Sequence, residues 1–100
     1  MSIKPPKTIA DGASTLQVGE LAFSVFKQHV DTILTVNDDD LIKGMQFFGD
    51  VMKMVVEPTG CLGLSAARTC GFDLKGKKVG VIVTGGNVDL INYAYLMGSQ

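Results

Sequence analysis

The chain has 100 residues, 46% of them hydrophobic, with nine Lys and Arg against ten Asp and Glu and a formal net charge of −1. That length allows one domain at most, and the apolar content argues against a disordered chain. Scattered charge with no basic stripe gives nucleic-acid binding no support, no apolar run is long enough to span a bilayer, and the polar, Pro-containing start lacks the apolar core of a signal peptide, so a cytoplasmic setting is expected.

Residues 1–18 read as an extended or looped lead-in around Pro5, Pro6 and Gly12. Residues 19–30 suit a helix, with Leu21, Val25 and Phe26 on one face and Phe23 beside them. Residues 32–36, Thr-Ile-Leu-Thr-Val, are β-branched and short enough for a strand. Asn37 is a good N-cap, and Asp38, Asp39 and Asp40 fill the first turn of the next helix, where negative charge meets the positive end of the dipole. Leu41, Met45, Phe48, Met52 and Val55 recur at helical spacing and carry that predicted helix to Pro58. Pro58 stops it and can open the following one at its first position. Residues 59–70 are rich in Gly and Ala, which predicts a closely packed helix, and Gly71 caps its end. Asp73 to Lys78 form a charged turn around Gly76. Val79-Gly80-Val81-Ile82-Val83 is a continuous apolar run, as expected of an interior strand in a parallel sheet. Thr84-Gly85-Gly86-Asn87 then leads to a helix from about Val88 to Met97.

Several polar features read as structure. On one helix, Cys61 and Cys70 would lie on opposite faces about 13 Å apart, too far for a disulfide. With a single His they make no zinc site either, so they read as small packing residues. Asp38, Asp39 and Asp40 point in different directions on a helix, which fits helix-start stabilisation and not a metal site. His29 reads as a surface residue near a helix end, and Met45, Met52 and Met54 as packing.

The segment with the most chemistry is the apolar run followed by Thr84-Gly85-Gly86-Asn87. In open α/β sheets ligands sit at the carboxyl ends of strands, and a hydroxyl there followed by two glycines lets a ligand approach the backbone without interference from Cβ atoms. By spacing alone it reads better as a glycine turn between a strand and a helix. It has neither the Gly-x-Gly-x-x-Gly spacing of a dinucleotide site nor the Lys of a phosphate-binding loop.

Four ordered blocks span residues 5–90. They are Pro6-Lys7-Thr8-Ile9-Ala10-Asp11-Gly12, Val30-Asp31-Thr32-Ile33-Leu34-Thr35-Val36, Met52-Lys53-Met54-Val55-Val56-Glu57-Pro58-Thr59-Gly60 and Val81-Ile82-Val83-Thr84-Gly85-Gly86-Asn87-Val88-Asp89. Together they resemble the C-terminal part of the pyridoxal-phosphate-dependent serine/threonine dehydratase and serine racemase family, and Glu57-Pro58-Thr59-Gly60-Cys61-Leu62-Gly63 looks most like its hydroxyaspartate dehydratase branch. The resemblance implies an α/β fold of type II (tryptophan-synthase-beta-like), with few strands flanked by helices. Residues 1–100 would be one partial domain, the C-terminal part of the large cofactor-binding domain.

It also implies residue roles. The hydroxyl of Thr84 would face the pyridine nitrogen of pyridoxal 5'-phosphate, where many members carry Ser. A neutral hydroxyl does not hold that nitrogen protonated as a carboxylate would, so the ring is a moderate electron sink suited to β-elimination. Gly85 and Gly86 would let the ring edge lie near the backbone. Glu57 matches a carboxylate near the cofactor, and is equally readable as a helix-end charge. Asp11 and Gly12 match the loop bordering the substrate side, and are equally readable as an Asp-Gly turn. Lys53 and Asn87 match positions that bind a nucleotide effector in the racemase branch, although a solvated lysine and a turn asparagine explain them more simply.

Other family parts are missing. The cofactor-holding lysine sits in a Ser-Phe-Lys-x-Arg-Gly-Ala type motif. Ser24-Val25-Phe26-Lys27 echoes it, but Gln28-His29-Val30 follows, and Lys27 is not assigned as catalytic. The tetraglycine phosphate loop, the substrate-carboxylate loop and the acidic metal site have no counterpart. One Thr84 hydrogen bond is worth about 0.5–1.5 kcal/mol net, far short of the roughly −8.2 kcal/mol of a micromolar site. The expectation is therefore the C-terminal part of an ammonia-lyase that eliminates water from serine, threonine or 3-hydroxyaspartate, inactive as an isolated chain. Its partners would be the missing N-terminal part or a homologous subunit, within a homodimeric parent. The alternative is a non-catalytic interaction or regulatory module that pairs with a full-length homologue.

Overall fold

A computed structural model describes residues 7–13 and 17–98. Of the expected lead-in, residues 1–6, which include Pro5 and Pro6, and residues 14–16 lie outside the described residues. The described chain contains helices α1 (Glu20–His29), α2 (Asp38–Asp50), α3 (Leu62–Thr69) and α4 (Leu90–Met97), with 3-10 turns at Asp11–Ala13 and Pro58–Cys61.

The helix starts follow local chemistry. Asn37 caps α2 by accepting a hydrogen bond from the Asp40 N–H at 2.8 Å, and Asp89 caps α4 by accepting from the Asn92 N–H at 3.1 Å. Pro58 opens its 3-10 turn, where its missing N–H costs nothing. Gly71 follows α3 at φ 75°, the left-handed geometry that ends a helix and that only glycine adopts without strain. Lys27 lies in the last turn of α1, where its positive charge favours the dipole, with His29 beside it.

Two expectations need correction. The helix predicted to reach Pro58 stops at Asp50, and Met52 and Val55 are exposed. Lys53 adopts φ 58°, and the Met54 N–H donates to the Phe48 carbonyl at 2.8 Å, closing the helix end. Glycine or asparagine normally marks such a stop, and a lysine gives no warning of it. The second correction concerns the strands. Neither residues 32–36 nor residues 79–83 form one, and no strand exists among the described residues. A strand exists only as a member of a ladder, and residues 79–83 make no backbone hydrogen bond to another described segment.

The core is small. Leu41, Met45 and Phe48 of α2 pack with Ala10, Val56, Cys61 and Leu96. Helix α2 touches α3, α4 and the Pro58–Cys61 turn, whereas among the described residues α1 touches no other element and has no buried residue. The radius of gyration is 14.7 Å, against about 13 Å for a compact domain of this length. Ile33, Ile82, Leu90 and Ile91 stand exposed around this core, which is more apolar surface than an isolated domain usually shows.

Candidate functional site

Three segments far apart in sequence meet around the Pro58–Cys61 turn, which is one of them. The first is the Asp11–Ala13 turn. Its Gly12 N–H donates to Thr59 Oγ1 at 3.1 Å, and a Cβ on Gly12 would lie 3.0 Å from the same oxygen. The second is the turn itself with its N-cap Glu57. The third is residues 84–86. Here the Glu57 N–H donates to the Gly85 carbonyl at 3.1 Å. A Cβ on Gly60 would stand 2.8 Å from that carbonyl oxygen, and one on Gly86 would stand 2.3 Å from the Val55 carbonyl oxygen. The glycines are thus required where two backbones touch, which is a closer packing than a simple connecting turn needs.

Asp11, Gly12, Glu57, Gly85 and Gly86 are therefore neighbours through this turn. Glu57 is half-buried, and a Cβ on Gly85 would lie 3.0 Å from its Oε1. Thr84 is exposed, with its side chain outside the packed core. Lys53 and Asn87 are exposed too, each at the edge of a segment entering the convergence. Lys27 lies elsewhere, on α1, with its Nζ over the Phe23 ring at 5.7 Å from the centroid.

Sequence reasoning gave no role to Thr59, which latches the Asp11–Ala13 turn, or to Gly60, which admits the Gly85 carbonyl. It also read Asp38 only as a helix-start charge. Asp38 accepts hydrogen bonds from the Thr8 hydroxyl and, at 3.2 Å, from the Ile9 N–H. The Ala10 N–H in turn donates to Thr8 Oγ1 at 3.2 Å. This clamp seats the segment leading into Asp11 against the start of α2. The only available signal was the position of a Thr shortly before the Asp-Gly pair, too common a pattern to interpret alone.

The cysteines are both free. Cys61 is fully buried, and desolvation pushes its thiol up to about 11. At pH 8 only about one Cys61 thiol in a thousand is the reactive thiolate. Half-buried Cys70 at the end of α3 is therefore expected to react first with a disulfide reagent. One equivalent should be released quickly and the second only on adding urea. Two equal fast phases would show that Cys61 is not sealed in the core.

Residues 84–86 bring one exposed hydroxyl, that of Thr84, beside two glycines whose Cβ positions face Glu57 and the Val55 carbonyl, so the glycines serve the backbone packing that fixes where Thr84 stands. In donor chemistry, a neutral hydroxyl such as that of Thr84 is compatible with a heterocyclic ring nitrogen like that of pyridoxal phosphate. The comparisons with known proteins bear on the chain as a whole. The family described as "Pyridoxal-phosphate dependent enzyme" matches residues 1–85. Serine racemase of Schizosaccharomyces pombe is 52% identical over 95% of this chain and 29% of its own length. L-threo-3-hydroxyaspartate ammonia-lyase of Saccharomyces cerevisiae is 51% identical over 98% of this chain and 30% of its own. Among solved structures, maize serine racemase superposes with a TM-score of 0.83 at 34% identity, covering 97% of this chain and 31% of that one. The threonine deaminase of T.th. gives a TM-score of 0.82 at 38% identity, covering 89% and 32%. The chain thus spans about three-tenths of the length of the curated relatives it matches.

Proposed function

The chain belongs to the pyridoxal-phosphate-dependent enzyme family, and from that premise we propose that it is the C-terminal portion of the large cofactor-binding domain of an ammonia-lyase. The parent eliminates water from a small β-hydroxy amino acid, serine, threonine or 3-hydroxyaspartate, and yields a 2-oxo acid and ammonia. The observation carrying this reading is the meeting of residues 84–86, Glu57 and the Asp11–Ala13 turn on the single Pro58–Cys61 turn. Ammonia-lyases for 3-hydroxyaspartate and threonine among the relatives support the substrate class.

Bound pyridoxal phosphate supplies an electron sink for the charge left when the α-proton departs. The residues of this chain do the positioning. Thr84 would present its hydroxyl to the ring nitrogen without supplying a full charge. Gly85 and Gly86 would let this segment pack directly on Glu57 and the Val55 backbone, bringing its backbone and Thr84 to the ring edge. The turn containing Asp11 and Gly12 borders the substrate, latched by Thr59 and clamped by Asp38. Lys53 and Asn87 lie at the rim, where an effector of the whole enzyme would reach them. The parent is a cytoplasmic homodimer in this reading, a setting that suits two free thiols.

The test mixes the chain with an N-terminal part of a relative that carries the cofactor lysine and the phosphate loop, and adds pyridoxal phosphate and L-threo-3-hydroxyaspartate. Oxo-acid release is expected from the mixture and not from either part. Thr84→Val should lower kcat/KM about tenfold, the equivalent of one lost hydrogen bond. Turnover by the chain alone would overturn the assignment of the lysine to the missing part. Association without turnover would favour the non-catalytic module.

A further inference from the structure

On another face of α2 lies a small polar cleft of about 180 Å³, lined by Asp40 and Lys43 from α2 and by Ser65, Arg68 and Thr69 from α3. We propose that this cleft binds a small α-amino acid as its zwitterion, at a place separate from the convergence on the Pro58–Cys61 turn.

The argument is one of matching donors to acceptors. Lys43 and Arg68 are donors only, and among the described residues neither forms an ion pair with a carboxylate. Arg68 is held in place by the Phe47 ring, with its guanidinium carbon 5.9 Å from the centroid. The two hydroxyls have already used their protons. Ser65 Oγ donates to the Asp40 carbonyl at 3.0 Å, and Thr69 Oγ1 donates to the Ser65 carbonyl at 2.8 Å. What they have left to offer is lone pairs. The cleft therefore has a donor side, Lys43 and Arg68, and an acceptor side, Asp40 with the two hydroxyl oxygens. A simple anion would satisfy the first and meet like charge from Asp40. A simple amine would satisfy the second and meet two cations. A molecule carrying a carboxylate beside an ammonium group satisfies both. A second cavity of about 470 Å³ shares Lys43 and Arg68 and is lined further by Gln46, Phe47, Asp50 and Met97, which leaves room for a side chain, with Asp50 an additional carboxylate on the far side of the two cations.

The experiment follows the backbone amide signals of the isotope-labelled full chain during titration, at constant ionic strength so that screening does not vary. The probes are glycine, acetate, methylammonium and inorganic phosphate. Glycine is expected to give saturable shifts at Lys43, Ser65, Arg68 and Thr69, with a dissociation constant of about 1–10 mM. Acetate and methylammonium, each lacking one of the two groups, should bind at least about tenfold more weakly. Arg68→Gln and Asp40→Asn should each weaken glycine binding by about tenfold. Asp39→Asn, in the same turn but outside the cleft, should leave it unchanged. The dispersion of each variant's spectrum reports that it is folded, and Lys43→Gln repeats the donor-side test should Arg68→Gln unfold. The proposal is overturned if glycine gives no saturable shift at these amides. It is equally overturned if acetate or phosphate titrates them as tightly as glycine, or if folded Asp40→Asn binds glycine at least as well as the unaltered chain.

Discussion

Gly86→Ala is expected to destabilise the chain by about 1–3 kcal/mol, and to do so at the upper end of that range. The added Cβ would stand 2.3 Å from the Val55 carbonyl oxygen and 3.3 Å from its carbon, so two stretches of backbone must move apart. Gly85→Ala is the informative partner. There the nearest atom, at 3.0 Å, is Oε1 of the Glu57 side chain, which can rotate away. Its cost should stay within about 0.5 kcal/mol. Urea-unfolding midpoints of the two variants measure the difference. Equal midpoints would mean that the contact between residues 55 and 86 does not hold the convergence together. In the complemented enzyme, Gly86→Ala should also lower activity more than Gly85→Ala, because it separates residues 84–86 from Glu57.

Truncation of the core should have the largest effect of any single substitution. Leu41 and Met45 are 1% and 0% exposed and sit at the centre of a cluster of seven buried residues. Leu41→Ala or Met45→Ala is expected to cost about 2–5 kcal/mol, from lost burial and the cavity left behind. A core this small has little stability to spare, so either variant should lose its cooperative thermal transition by circular dichroism. Leu21→Ala on α1 removes the same atoms from a residue 82% exposed, and should change the midpoint by no more than about 0.5 kcal/mol. A loss from Leu21→Ala as large as that from Leu41→Ala would contradict the described packing.

Much of this architecture was legible because its signals are local. The cap at Asn37, Pro58 at the first position of a turn and the left-handed Gly71 each depend on a few adjacent atoms, and each occurs as expected. The spacing of Leu41, Met45 and Phe48 located the core. The same spacing misled at Met52 and Val55, because the helix ends through the backbone of Lys53, a residue type with no preference for that conformation. The strands misled for a different reason. Their apolar composition describes what residues 32–36 and 79–83 would do beside a neighbour, and no described segment supplies one. At the site, the Thr-Gly-Gly segment was visible as a motif, but its contact with Gly60 was not. Nothing in a string of letters says which carbonyl will lie 2.8 Å from a Cβ position 25 residues away. The clamp by Asp38 was hidden by a sufficient local explanation, since an acidic first turn needs no further cause.

That α1 meets no other described element has a consequence for how the molecule opens. A ten-residue helix without tertiary support is too short to persist on its own in water. Its amide protons should therefore trade with solvent deuterium long before those of α2, which touches three other elements. The chain then has two tiers, a cooperative unit organised around α2 and an appendage whose order must be lent by whatever covers Leu21 and Phe26. Whatever seats α1 would gain both its buried apolar area and its helical protection in a single step, so docking and ordering of that segment would be the same event.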